Sequence, residues 1–519
     1  MRILVIALIL LSGAQPAPGA QAALLERGTA ITDPRALREL DGGSFGLGRV
    51  MLPGRSADGP MTNSRLFALP AMAPVRSALD AEFDRYIQAH QATLPNESIG
   101  VGPGFDFQLF DRALLYSSDT RFVLSGIVNR MDRGYLAQKN CGEIRLIYRL
   151  TRTVMPEVGD DAVSPRLPMT LNVVLKAKAD HAVDGNGADI TCAEIARRWL
   201  GSGDSPLTGA ALAAALTARD GPLDLVRPEN IDRIETNLQI AHAPKSAARD
   251  FRTDYLMKVF DYNARSATFE EAPLENQIDR TRILADKNLA REFKAWLLEP
   301  GHFRELDRGT VLIPEKFLAT GAIATTPVGF GPSNLQPAFG LTQGDGAATE
   351  PVFRESDVVT ALKQAAEQGT SLQNIRSLAG FEQRLNDVTC SGCHQTRGIG
   401  GFHFPGVDWL AAKPSNSTVV PASPHFFGDQ PRRRDILAAL RDGTEVDYSR
   451  GFSSRAQLRG STELAGTEYD DGWGAHCYLQ HAGAADNDRS FRSWTCAESL
   501  ACQVAGKDQR MGMCFVKRR

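Results

Sequence analysis

Beyond its first residues the chain has no apolar run long enough to cross a bilayer, no internal repeat and no marked charge of either sign. Its 58 Lys and Arg against 61 Asp and Glu leave a formal net charge of −3. So even a balance argues against nucleic acid or an anionic membrane surface as the main partner. Cysteine and histidine are scarce, with 8 and 9 copies in 519 residues, so a pattern that combines them carries weight. What is plentiful is ordinary core-forming material. Hydrophobic residues make up 43% of the chain, enough to bury a substantial core. The length suggests about three domains.

The chain opens with Met1 and Arg2, then the apolar stretch from Ile3 to Leu11, then small residues ending in Ala20-Gln21-Ala22. A basic start, a short apolar middle and an A-x-A site make a secretory signal peptide over residues 1–22, with cleavage expected after Ala22. The apolar run is too short to span a bilayer. The expected location is therefore periplasmic or secreted, with no integral membrane segment. No cysteine follows the signal, so a lipoprotein anchor is not indicated.

The stretch that organises the remainder is Cys390-Ser391-Gly392-Cys393-His394. C-x-x-C-H is the attachment signature of a c-type haem. Each thiol adds across one haem vinyl group, and the two-residue gap lets both thioethers reach one porphyrin edge. His394 then serves as the proximal iron ligand. Three other chemistries use parts of this pattern. One is a thioredoxin-like redox pair. Another is a zinc site from Cys390, Cys393, His394 and His403. The third is a plain disulfide between Cys390 and Cys393. Covalent haem c, one copy, is the favoured reading, and export supports it.

The residue on the other face of the iron decides between electron transfer and catalysis, because an open sixth position can bind a small ligand. After His394 the candidates are His403, His425, His476, His481, Met511 and Met513. His403 sits among glycines, two phenylalanines and Pro405, and is taken as the distal metal ligand. A hydrogen-bonded loop histidine is the alternative. Met511 and Met513 are expected to pack beside the disulfides.

Alternation of β-branched and aromatic residues predicts strands over 121–131, 143–151, 169–178, 233–243 and 255–262. Short links between them suggest an antiparallel sheet. Helices are expected over 24–40, 79–91, 192–200, 206–218 and 287–298, and Gly, Pro and Thr over 320–349 suggest a linker. Two helices precede the haem signature, one capped by Ser356 and one capped by Thr370 that runs into Cys390. A further helix over 431–442 offers Ile436, Leu437 and Leu440 either to a haem edge or to an ordinary core. The fold class is therefore α+β. An antiparallel-sheet domain occupies 23–345, a mainly helical haem domain 350–450 and a small disulfide-stapled module 455–519.

The helix that ends in Cys390-Ser391-Gly392-Cys393-His394 resembles the first helix of class I cytochromes c. The likeness covers that helix and the pentapeptide and implies a redox role. Those proteins supply a methionine a few dozen residues later, and here none lies between His394 and Met511. In the first domain, Asn129-Arg130-Met131-Asp132 followed by Cys141-Gly142-Glu143-Ile144-Arg145 is similar to a pattern of large exported bacterial proteins. That resemblance implies a fold and brings no reaction. On one strand Glu143 and Arg145 share a face, as do Arg130 and Asp132, so they form either a cross-strand salt-bridge network or a polar pocket facing the haem or a substrate.

Cys141 is expected to pair with Cys192, because the other four cysteines cluster at the C-terminus. Among these the expected pairs are neighbours, Cys477–Cys496 and Cys502–Cys514, though sequence cannot choose among three pairings. The leading expectation is an exported monohaem c-type cytochrome-like protein in electron transfer, working with a redox partner protein or a small-molecule electron acceptor or donor. The rivals are a haem-dependent peroxidase- or oxygenase-type oxidoreductase with an open iron site, and a non-enzymatic binding protein with structural or sensory haem.

Overall fold

The computed structural model describes residues 26–52, 60–136, 138–153, 166–178, 189–243, 253–326, 352–392, 409–410, 426, 429–450, 476–479, 488–491, 494–504 and 511–517. The expected signal peptide lies outside these residues, as do Cys393, His394, His403, His425 and His481.

A ten-stranded sheet dominates. Its long members are β4 (Thr120–Arg130), β5 (Glu143–Arg152), β6 (Arg166–Lys176), β7 (Ile231–His242) and β8 (Thr253–Asn263), each antiparallel to the next. These are the five strands that alternation predicts. Shorter strands extend the edges. β1 (Ala30–Ile31) joins β4, and β3 (Phe107–Leu109) joins β7 and carries the parallel strand β2 (Ile99–Gly100). β9 (Thr268–Ala272) and β10 (Ala322–Thr326) both pair with β8. The first residues of the expected linker over 320–349 are therefore strand, because β8 leaves an edge that needs a partner.

The sheet has two unlike faces. Ile144, Leu146, Tyr148 and Leu150 of β5, with Val173 and Leu175 of β6 and Ile234 of β7, enter one large core. Helices Pro34–Gly42, Ala73–Thr93 and Cys192–Gly203 cover that face. Burial of each such side chain stabilises the fold by roughly 1.5–3 kcal/mol. The opposite face carries Glu143, Arg145, Arg233 and Glu235, all at least mostly shielded from water.

A second core gathers Phe293, Leu297, Phe303 and Leu306 with Phe353, Val358, Phe381 and Leu385. It joins helices Lys287–Leu297 and Pro300–Arg308 to helices Glu355–Glu367 and Leu378–Asp387, and so straddles the expected junction near 345–350. One expectation about this region needs correction. The helix before Cys390 starts at Leu378 and is capped by Ser377, whose hydroxyl accepts from Gly380 N at 3.0 Å. Thr370 caps nothing there, because the chain over 373–375 instead gives three backbone N–H groups to the Asp307 carboxylate. The helix Gln430–Asp442 places Leu437 in the large core, so it serves as an ordinary core helix against the sheet domain.

The C-terminal module is a three-stranded sheet, β11 (His476–Tyr478), β13 (Met511–Val516) and β12 (Leu500–Val504) in that order. His476 and Met513 are register partners on β11 and β13. Disulfides join Cys477 to Cys502 and Cys496 to Cys514, in place of the expected neighbour pairs. The pairing follows which strands the sheet brings together, information that cysteine spacing does not carry. Cys141–Cys192 is present as expected. No helix among the described residues is long and apolar enough to cross a membrane.

Candidate functional site

Each residue of the two motifs in the first domain has a structural reason. Asn129 ends β4 with its side-chain oxygen accepting from Met131 N at 2.8 Å, which turns the chain. Arg130 then reaches Asp132, Nε to Oδ1 at 2.8 Å. Asp132 lies in a short turn, Met131–Arg133, so the two meet around a bend and do not share a strand face. Cys141 and Gly142 both adopt positive φ, 60° and 93°, just before β5. A Cβ on Gly142 would stand 2.7 Å from Met131 Cα and 2.8 Å from Arg130 O, so only glycine lets the two motifs touch. The Cys141–Cys192 disulfide then ties this corner to the start of helix Cys192–Gly203.

From that corner a charge network runs across the polar face. Arg145 donates to Glu143 at 2.9 Å and to Glu235 at 3.1 Å. Arg233 donates to Glu143 and to Glu235, both at 2.9 Å. Arg133 lies 3.2 Å from Glu143 and also bonds Glu275. Burial opposes the charge on Glu143, but Arg233, Arg133 and Arg145 outweigh it and hold the carboxyl well below its ordinary value. The salt-bridge reading of the motif is thus correct in its contacts.

A second cluster adjoins the first. Arg432 donates to Asp132 and Asp429, each at 2.7 Å, and Arg433 donates to Asp429 at 2.7 Å. Burial likewise opposes the charge on Asp132, while Arg130, Arg432 and Arg433 hold it well below the usual range.

The same face also forms a cavity of about 310 Å³, and Cys390 lines it together with Arg133, Arg145, Arg233, Glu235 and Arg384. The salt-bridge network therefore forms part of the wall of this cavity. The Cys390 thiol donates to Glu275 O at 3.5 Å. It packs on an apolar wall of Met257, Val259, Ala272, Leu274, Ala322 and Ala324. Residues 390–392 are helical. Ser391 N and Oγ both donate to Gln277 Oε1 at 2.9 Å, and Gly392 N donates to Thr389 Oγ1 at 2.9 Å. A Cβ on Gly392 would lie 2.1 Å from Asn386 O, so both middle residues of the signature are tightly held.

The structure thus places Cys390 and Arg145, 245 positions apart, on the lining of one cavity. Arg233, Glu235, Glu275, Arg384, Arg432 and Arg450 escaped sequence reasoning. Arg233-x-Glu235 repeats on β7 the two-residue charge spacing of Glu143-x-Arg145, and that signal was available. Among the described residues, the one grouping with metal-ligand proximity is Cys477, Cys496 and Cys514, whose sulfurs are held in disulfides. In comparisons with protein-family models, curated proteins and solved structures, nothing matches this chain.

Proposed function

We propose that the protein carries one haem c, attached through Cys390 and Cys393 with His394 as proximal ligand, and that it transfers electrons outside the cytoplasm. The observation that carries this reading is the setting of Cys390, which lines a charged cavity and packs against an apolar wall. The residues present suit the group. Cys390 supplies one of the two thiols that thioether formation needs. The wall from Val259 to Ala324 offers the apolar contact that a porphyrin requires. The Ser391–Gln277 bonds hold the first turn of the signature in one orientation. When bound, the haem supplies reversible one-electron chemistry at its iron. The three disulfides suit an oxidising compartment. In this reading the helix Leu378–Asp387 and the turn after it form the cytochrome-like part, with His403 as distal ligand.

The cavity favours a second reading, an oxidoreductase with an open iron site. A site that holds polar and charged groups beside the cofactor anchor has room for a substrate, which a simple carrier does not need.

Expression of the full chain in a host equipped for cytochrome maturation tests the proposal. A pyridine haemochrome spectrum and an intact mass raised by one haem are expected. Colourless protein of unmodified mass would sink both readings. The ferric optical spectrum then separates them, since low-spin iron that ignores added ligands marks a carrier and high-spin iron with rapid peroxide turnover marks an enzyme. His403→Ala changes that spectrum only if the residue binds the iron.

A further inference from the structure

A second cavity, of about 390 Å³, opens on the outer edge of β4 and includes no residue of the C-x-x-C-H signature. The sheet explains its place. β1 pairs with that edge only at Ile127 and Val128, and farther along Thr62 bridges to Arg121. Leu124 lies between these points, where the register of β4 on β5 shifts. Its outward N–H and C=O therefore need other partners. The N–H donates to Asp41 Oδ1 at 2.9 Å, and the C=O accepts from Trp409 Nε1 at 2.8 Å. One edge residue thus fixes a carboxylate and an indole on the cavity wall. Three guanidiniums line the same space, those of Arg38, Arg49 and Arg121, against the one carboxylate of Asp41. Asp41 is already answered, with Oδ2 lying 3.5 Å from Arg121 Nη1. Arg38 Cζ stands 6.0 Å from the Trp409 ring centroid. Among the described residues neither Arg38 nor Arg49 has a carboxylate partner. They come from separate helices, Pro34–Gly42 and Leu47–Met51, yet face one space. Leu47, Met61 and Phe122, all buried, give that space an apolar floor.

A cleft lined by an excess of one charge concentrates ligands of the other. Guanidiniums favour carboxylates and phosphates through charge-assisted hydrogen bonds. The volume lies within the ~300–1,000 Å³ typical of ligand pockets and is more than a bare ion fills. An inorganic anion would leave the indole and the apolar floor in water. A neutral aromatic would leave the two arginines unanswered. A flat apolar body with an anionic head meets both demands, and aromatic rings pack well on an indole. We propose that this cavity binds a small aromatic anion, its carboxylate or phosphate head on Arg38 and Arg49 and its ring against Trp409 and the floor. The site uses neither the Cys390 thiol nor the iron, so it stands whether or not haem is attached.

Calorimetry of the purified full chain tests it, with benzoate and phenyl phosphate as probes. At least one of the two is expected to bind saturably, and which one does identifies the head group. Benzamide, which keeps the ring and lacks the charge, should bind at least about tenfold more weakly than that probe, a difference of about 1.4 kcal/mol. The head without the ring, acetate for benzoate or inorganic phosphate for phenyl phosphate, should be weaker by at least about the same factor. Arg38→Gln and Arg49→Gln should each cost at least about tenfold in affinity while leaving circular dichroism and the melting midpoint unchanged. Both side chains are exposed, so these variants spare the core. Absence of binding by both probes overturns the proposal. So does benzamide or a ringless head that binds as tightly as the probe, or unaltered affinity in either variant.

Discussion

Arg432 donates to Asp132 at 2.7 Å although 300 positions of chain separate them. The bond fastens helix Gln430–Asp442 to the turn after β4, and both side chains are withdrawn from water. Without Arg432, Asp132 keeps Arg130 and Asp429 keeps Arg433, so the loss is that of charge-assisted hydrogen bonds, about 1.5–3 kcal/mol, and not that of a stranded buried charge. Arg432→Ala should therefore lower the unfolding free energy in urea by about that amount. A midpoint within error of the unsubstituted protein would mean that the pair contributes nothing to stability.

Acid should weaken the fold through Asp132 and Glu143. The arginines around them hold both carboxyls below their ordinary values against the effect of burial. A carboxyl depressed in the folded state adds stability that is complete above its unfolded pKa, about 4, and is lost as pH falls through the folded value. Urea midpoints should decline steadily below about pH 4. Flat stability from pH 5 to 2 contradicts this.

Glu26 acts in the opposite sense. Burial pushes its carboxyl up to about 8. A pKa raised on folding favours the fold below the unfolded value, and that advantage is lost as pH rises toward the folded one. Stability should thus fall between about pH 4.3 and the folded pKa near 8. Glu26→Gln, which keeps the shape and removes the charge, should flatten this limb and raise the midpoint at pH 8. An unchanged slope places the cause elsewhere.

Gly392→Ala places a methyl 2.1 Å from Asn386 O and 2.6 Å from Thr389 Oγ1. The first contact is backbone and cannot swing away. Forced overpacking typically costs about 1–3 kcal/mol. The variant should melt earlier, and on the proposal that Cys390 anchors a haem its yield of covalent cofactor should fall in the same preparation. Ser391→Ala, which removes only one of two bonds to Gln277, should do much less.

Proteolysis without reduction should release one linked peptide containing Cys477 and Cys502 and another containing Cys496 and Cys514. Peptides linking Cys477 to Cys496 would refute this arrangement. Replacing both Cys477 and Cys502 by serine should destabilise the module by about 2–5 kcal/mol, measured by the loss of its protection from protease.

Much of the sheet was legible because alternation is a local signal. Each of the five long strands has a buried face that demands apolar residues at every second position. β9 and β10 were not legible, since five residues paired only with β8 carry little pattern of their own. The Thr370 cap failed for a similar reason. Thr370 is a sound helix cap by residue type, but Asp307 claims the following backbone N–H groups from a helix that sequence could not place nearby.

The chain by itself determined the strand set, the cysteine that pairs with Cys141, the helix over 431–442 and the C-x-x-C-H signature. All of these depend on spacing within short segments or on simple counting. Only the tertiary structure decided that Cys390 lines one cavity with Arg145 and Glu235, that Asp132 is shared between Arg130 and Arg432, and which C-terminal cysteines join. The physical reason is that Coulomb attraction and disulfide bonding depend on distance in space. Folding sets those distances through the packing of two cores that draw on residues hundreds of positions apart.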